Sequence, residues 1–285
     1  MNKQHRLINK AYKEAIKFTK SHYENFPVVS FFLPKKLKKH IAIIYQFARQ
    51  ADDIADENNY PVDFRLMLLE NYKNDLKNSL NGNFKNNFWM ALNNTINKMN
   101  LSPKHFYDLL SAFEQDITVN RYKTFDDVLN YCERSANPVG RLILELFNIR
   151  NSEVVEYSDA ICTALQLTNF YQDISIDYKK NRIYLSLDDL KKYDIDENTF
   201  ELKKNSANFK QLLKCNIERT KEFFNKGENI LKFLPGNLKF QIKLTILGGK
   251  KILDKIEEID YNTLNIRPVL SKKDIIKLFY KALFE

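Results

Sequence analysis

Two stretches of this chain carry enough oxygen to do metal and phosphate chemistry. The first is Phe47-Ala48-Arg49-Gln50-Ala51-Asp52-Asp53-Ile54-Ala55-Asp56-Glu57, with four acids within six residues. Asp52 and Asp56 are four apart, so on a helix they project from nearly the same face, with Asp53 beside them. Carboxylates stacked that way repel each other unless a cation lies between them or solvent screens them. Arg49, one turn upstream, is placed to grip an anion that such a cation would bring. The second stretch runs from Gln166 to Asp177, where Asn169, Asp173 and Asp177 repeat every four residues. Each step turns only about 40° around a helix, and such a strip is costly to bury without a partner. Oxygen ligands with no His or Cys nearby suit Mg²⁺, which takes one or two carboxylates plus water and substrate phosphates. Arg182 and Tyr184 follow, a guanidinium and a phenol suited to phosphate oxygens.

Neither cluster is decisive alone. Asp126-Asp127 and Asp188-Asp189 are also adjacent acids, and both read as first-turn residues favoured by the helix dipole. A single such cluster is ordinarily a solvated helix face. Two strips at four-residue spacing, each accompanied by a positive group, point instead to a mouth across a helical bundle that traps a metal-bound diphosphate. The four histidines (His5, His22, His40, His105) lack ligand spacing. Three read as surface or capping groups, and His22 lies beside an aromatic break. Cys132, Cys162 and Cys215 sit in apolar helical patterns and read as buried thiols in a reducing compartment.

The elements that would position these groups are helices. The chain of 285 residues has only 6 Gly and 7 Pro, where average usage gives roughly 20 and 14. Leu7, Ile8, Ala11, Ala15 and Phe18 form a helical stripe over 3–20. Pro34 opens the helix that carries the first strip, and Ser102-Pro103 opens another. Thr124 or Asp126 caps a helix expected to run through to Phe147 with Pro138 kinking its middle. One long helix is expected from Ser152 to about Tyr178. About ten helices and no strand emerge, so the expected class is all-α in a single domain over 1–285.

The net charge is +9 with a pI near 9.2, which fits nucleic acid, an anionic membrane or a small polyanion. No Arg-rich arm, zinc-finger spacing or RNA-binding aromatic motif is present, so no nucleic-acid partner is expected. No segment has the roughly 18–20 apolar residues of a membrane span, and the N-terminus lacks a signal-peptide pattern. A cytoplasmic protein is expected, at most peripheral to the inner face of a membrane.

At this point the sequence resembles the squalene/phytoene synthase family, the head-to-head prenyl synthases. The segments are SHYENFPV…LP (21–34), IYQFARQADDIADE (44–57), YCERSANPVGRLIL (131–144), LQLTNFYQDISIDYKKNRIYLS (165–186), ILGGKKILDKI (246–256) and YNTLNIRP (261–268). They keep order and spacing over nearly the whole chain. The resemblance implies an isoprenoid-synthase helical bundle with a central cavity. Within the family, HYENFPV, SANPVGRL, NFYQD and the LGG before ILDKI are most similar to the hydroxysqualene-forming branch of the bacterial hopanoid pathway. That implies Mg²⁺-dependent ionisation of presqualene diphosphate and capture of the cation by water, with no nicotinamide cofactor. Condensation of two farnesyl or two geranylgeranyl diphosphates is the alternative, and a non-catalytic helical partner a further one. Enzymes upstream and downstream in the pathway are implied as partners.

Carried over by resemblance, Asp52, Asp53 and Asp56 are metal ligands of the first strip, and Asn169, Asp173 and Asp177 of the second. Asp52, Asp56, Asp173, Asp177 and Arg49 are the catalytic set. Tyr45, Arg49, Gln166, Arg182, Tyr184 and Arg267 contact substrate, and His22, Asn25 and Phe26 line the entrance or pocket. Aromatic faces, with Phe26, Phe47, Phe170 and Tyr171 as candidates, could steady the cation. Two departures stand out. Gln172 lies where many relatives have Arg, and Gly248-Gly249 where condensing relatives often place an aromatic. One cation fewer and a more open pocket wall suit a single diphosphate and a reacting water.

Overall fold

The first apolar stripe becomes helix α1 (Lys3–Ser21), which buries Ile8, Ala11, Tyr12 and Ala15 on one face. The structure, a computed structural model, describes residues 3–21, 34–56 and 60–284. Further along are α2 (Lys35–Asp56), α3 (Val62–Leu80), α4 (Asn87–Lys98), α5 (Pro103–Thr118), α6 (Phe125–Ser135) and α7 (Asn137–Leu146). Then come α8 (Ser152–Gln172), α9 (Ile174–Lys179), α10 (Leu187–Lys192), α11 (Glu197–Glu201), α12 (Ala207–Gly227), α13 (Gly236–Glu258) and α14 (Lys272–Phe284). Among the described residues, fourteen α-helices and one short 3₁₀ helix thus replace the ten or so read from the sequence. Among the same residues β pairing is limited to one bridge, Arg121 to Ile183. No described helix is long and apolar enough to cross a membrane.

The contacts group the chain into two units, Met1–Thr118 with Pro138–Asn151, and Val119–Asn137 with Ser152–Glu285. The first unit centres on α2. Phe47 is fully buried and packs edge-on against Phe106 at 5.2 Å and Trp89 at 6.1 Å. His40, read from sequence as a surface or capping group, is instead a core residue at 2% exposure. Its Nδ1 is 2.8 Å from Thr95 Oγ1, which also bonds the Tyr12 hydroxyl at 2.8 Å. Burial, reinforced by Lys39 and Lys98, lowers its pKa to about 4, so the ring is a neutral hydrogen-bonding wedge.

The second unit packs α8 against α12 and α13. Tyr171 is fully buried and donates to Asn216 Oδ1 at 3.2 Å. At Gly249 the backbone comes so close that a methyl group would lie 2.6 Å from Phe224 Cζ and 2.8 Å from Leu165 Cδ2. The expectation of an open wall there is corrected. Gly249 serves close helix packing, and Phe224 already fills the space.

Two helices expected to be continuous are broken. The helix through 131–147 ends at Ser135, capped by a reciprocal Thr124–Asp127 box at its start. Pro138 then stands in the first turn of α7, where its missing N–H has no helical partner to lose, so it does not kink a helix interior. The stretch from Ser152 breaks at Asp173, where α8 gives way to α9. Cys132 is buried and its thiol is pushed up to about 12 by that burial, while Cys162 and Cys215 are half-buried.

Candidate active site

The first strip is one face of α2. Tyr45, Arg49, Asp52 and Asp56 lie within about 60° of one another on an ideal helix, and all are half-buried while Ala51 and Ala55 are buried behind them. Two contacts from α3 hold this helix, one at its end and one in its middle. Arg65 from α3 donates Nη1 to the Ala55 carbonyl at 2.6 Å, and the Tyr72 hydroxyl donates to the Phe47 carbonyl at 3.2 Å. Arg49 pairs through Nε with Asp53 at 2.8 Å and through Nη1 with Asp52 at 3.5 Å. Burial, reinforced by the Asp56 carboxylate, pushes the Asp52 carboxyl up to about 7 against the pull of Arg49. A carboxyl held that high is short of positive charge, and a cation between Asp52 and Asp56 would supply it.

The second strip survives the break in its helix. The Asp173 N–H donates to the Asn169 carbonyl at 2.9 Å, and the Asp177 N–H to the Asp173 carbonyl at 2.9 Å. The four-residue spacing therefore persists across the change of element. Gln166 lies one turn upstream on α8, half-buried, and Asn169 is exposed. Asn181 is left-handed at φ 61°. Its N–H bonds the Tyr178 carbonyl at 2.9 Å, and the Arg182 N–H bonds the Asp177 carbonyl at 2.9 Å. That paired closure is the Schellman pattern, and it folds Arg182 back toward Asp177. Phe170 and Tyr184 stack face to face at 3.7 Å, with Tyr122 and Tyr131 around them.

Arg121 anchors the loop that carries Arg182 and Tyr184. Its Nη1 donates to the Asn181 carbonyl at 2.7 Å and its Nε to Glu197 at 2.8 Å. Beneath the loop, Phe170, Asp177, Arg182 and Tyr184 border a cavity of about 10 Å³, room for one water at most.

Arg267, in the segment between α13 and α14, pairs with the second strip. Its Nε donates to Asp173 Oδ1 at 2.5 Å and its Nη2 to Oδ2 at 3.2 Å. Gln172 reveals a role that the sequence alone does not disclose. At 1% exposure, its Nε2 donates to the Pro268 carbonyl at 2.6 Å, clipping the segment that holds Arg267. Asp189, read as a first-turn acid, also takes both Nη atoms of Arg219 at 2.7 and 3.2 Å.

Of the aromatic candidates, Phe47 and Tyr171 are core. Phe170 is buried too, stacked on Tyr184. His22, Asn25 and Phe26 lie outside the described residues. Among the described residues no group of three His, Cys, Asp or Glu side chains is gathered to hold a metal. An ion of the Mg²⁺ type takes one or two carboxylates and draws its other ligands from water and phosphate.

Comparison with known proteins gives the class first. The chain matches the crystal structure of squalene synthase HpnC from Alicyclobacillus acidocaldarius at TM-score 0.84 and 33% identity, over 90% of this chain and 96% of that one. The fold is that of the all-helical isoprenoid synthases. The particular family follows from sequence: the squalene/phytoene synthase model matches residues 19–274, and the chain belongs to that family. It is 40% identical over 184 residues to hydroxysqualene synthase of Zymomonas mobilis subsp. mobilis, a stretch covering 63% of this chain and 61% of that protein. It is 25% identical over 272 residues to a chloroplastic phytoene synthase of Narcissus pseudonarcissus, covering 93% of this chain and 64% of that one.

Proposed function

We propose that this chain ionises presqualene diphosphate and lets water capture the carbocation, giving hydroxysqualene and diphosphate. The observation that supports it most is the 40% identity to a hydroxysqualene synthase within a family match that spans both strips. In this reaction the carbon–oxygen bond to diphosphate breaks, the cyclopropylcarbinyl cation rearranges, its three-membered ring opens as a water oxygen bonds to the cationic carbon, and the water's proton leaves to diphosphate or solvent. Water rather than hydride ends the reaction, so no nicotinamide cofactor enters.

Mg²⁺ is the proposed ion, held by Asp52, Asp53 and Asp56 on the first strip and by Asn169, Asp173 and Asp177 on the second. When bound, it neutralises charge on the departing oxygens. Arg49, Arg182 and Arg267 bind and orient the diphosphate, prearranged so that little reorganisation accompanies ionisation. Tyr45 and Tyr184 donate hydroxyls to it, and Gln166 lies beside the second strip to orient the chain of the substrate. The stacked Phe170 and Tyr184 rings present an apolar face that keeps bulk water away from the cation. His22, Asn25 and Phe26 are assigned to the entrance. Both strips serve one catalytic domain, and the protein works in the cytoplasm at the inner face of a membrane, between enzymes that supply its substrate and consume its product.

Condensation of two prenyl diphosphates is the second reading, favoured by the 93% of this chain that aligns with a phytoene synthase. Purified protein with Mg²⁺, given presqualene diphosphate or farnesyl diphosphate in parallel, separates the two. Hydroxysqualene from the first alone supports the proposal, and squalene or dehydrosqualene from the second overturns it.

A further inference from the structure

Helix α14 is built with its greasy side outward. Leu278 and Ala282 are its buried residues, and Phe279 meets Phe240 edge-on at 5.4 Å. Ser271 and Asp274 form a reciprocal cap at its start, with the Ser271 N–H donating to Asp274 at 2.7 Å and the Asp274 N–H to Ser271 Oγ at 3.2 Å. Lys255 of α13 reaches Asp274 at 3.0 Å. These contacts set the rotation of the helix, and they leave Ile276 57%, Tyr280 60%, Leu283 51% and Phe284 80% exposed. On an ideal helix those four fall within about 100° of arc, and the Tyr280 and Phe284 rings lie nearly parallel at 14°.

The charge around this face says what covers it. Lys277 and Lys281 line one side, Lys272 the other, and Lys273 falls within the arc at the start of the helix, all exposed. Asp274, the acid within the helix, is turned to Lys255. A protein partner or second copy would bury such a face behind lysines that need acids opposite them. A bilayer surface with anionic headgroups takes both features at once: apolar side chains enter the headgroup–acyl boundary while the lysines stay at the phosphates.

We propose that the outward face of α14 docks this protein on an anionic lipid surface, with Ile276, Tyr280, Leu283 and Phe284 inserted. Ile266 and Val269, also exposed, flank Arg267 in the segment just before α14, so the docking face runs in sequence into the clip on Asp173. The proposal assigns a place to the membrane contact in the functional reading, and it needs only that the substrate be carried in lipid.

Flotation of the full chain with vesicles tests it. Wild-type protein floats with equimolar phosphatidylcholine–phosphatidylglycerol vesicles and floats less as salt is raised. The variant I276S/Y280S/F284S stays at the bottom with an unchanged Tm. The variant K273Q/K277Q/K281Q binds more weakly by about fivefold per lysine, and it reads the same face should the serine set lower Tm. Wild-type protein that ignores these vesicles overturns the proposal, as do variants that float like wild type. A wild-type dimer that the serine variant splits, with flotation unchanged, assigns the face to a second copy and also overturns it. Turnover of detergent-dispersed presqualene diphosphate is measured separately, so failure of docking leaves the catalytic reading standing and the converse holds too.

Discussion

At the scale of single residues, the two strips are legible because i, i+4 spacing is a local property. The spacing even survives the break at Asp173, since the backbone bonds from Asp173 to Asn169 and from Asp177 to Asp173 are kept. Partners far away in sequence are not legible in this way. Gln172 and Pro268 are 96 residues apart, and the motif offers Gln172 only as a missing cation. Its geometry gives it a positive role, because it pins the segment that presents Arg267 to Asp173. Gln172→Leu should therefore raise amide exchange in residues 264–270 of the substrate-free protein and raise KM more than it lowers kcat. Unchanged exchange there would remove that role. His40 shows the same limit, because no sequence signal separates a core histidine from a surface one. Its pKa is lowered from 6.5 to about 4, so the unfolded chain takes up a proton that the folded chain refuses. The stability this gives is complete above about pH 6.5 and is lost as pH falls toward 4, with a slope approaching about 1.4 kcal/mol per pH unit. In Tm–pH profiles, the advantage of wild type over His40→Gln should shrink across that window.

At the scale of elements, most helices are legible, because apolar side chains at three- and four-residue spacing also form their buried faces. The misses are breaks. Scarce glycine hides the turns, since Asn100, Asn148, Asn181 and Asp194 take the left-handed positions that glycine often fills and their short polar side chains tolerate that conformation. Pro138 reads as a kink because sequence cannot say whether a proline stands inside a helix or at the start of a new one. The glycine pair in α13 reads as space, whereas Gly249 lets α13 approach Phe224 and Leu165. Gly249→Ala should cost about 1–3 kcal/mol by overpacking. Gly236→Ala, where a methyl meets nothing within 4 Å, should be neutral or slightly stabilising. Denaturant midpoints for the two variants check this contrast.

At the scale of the whole molecule, the family and fold are legible because the motifs keep their order along the chain, and the match over residues 19–274 agrees. The two-unit grouping is not, because long-range contacts leave no local trace in composition or spacing. The functional proposal makes both strips act on one leaving group. Asp52→Asn and Asp173→Asn should each lower diphosphate release by about a hundredfold or more, and the double variant should lose much less than the product of the two. Fully multiplicative losses would mean that the strips act on separate steps. The most direct measurement follows presqualene diphosphate with Mg²⁺, without nicotinamide cofactor, in water enriched in heavy oxygen, with the product read by mass spectrometry. The expected result is hydroxysqualene carrying one heavy oxygen atom. An intact presqualene diphosphate pool, or an oxygen-free hydrocarbon formed from farnesyl diphosphate instead, would contradict it.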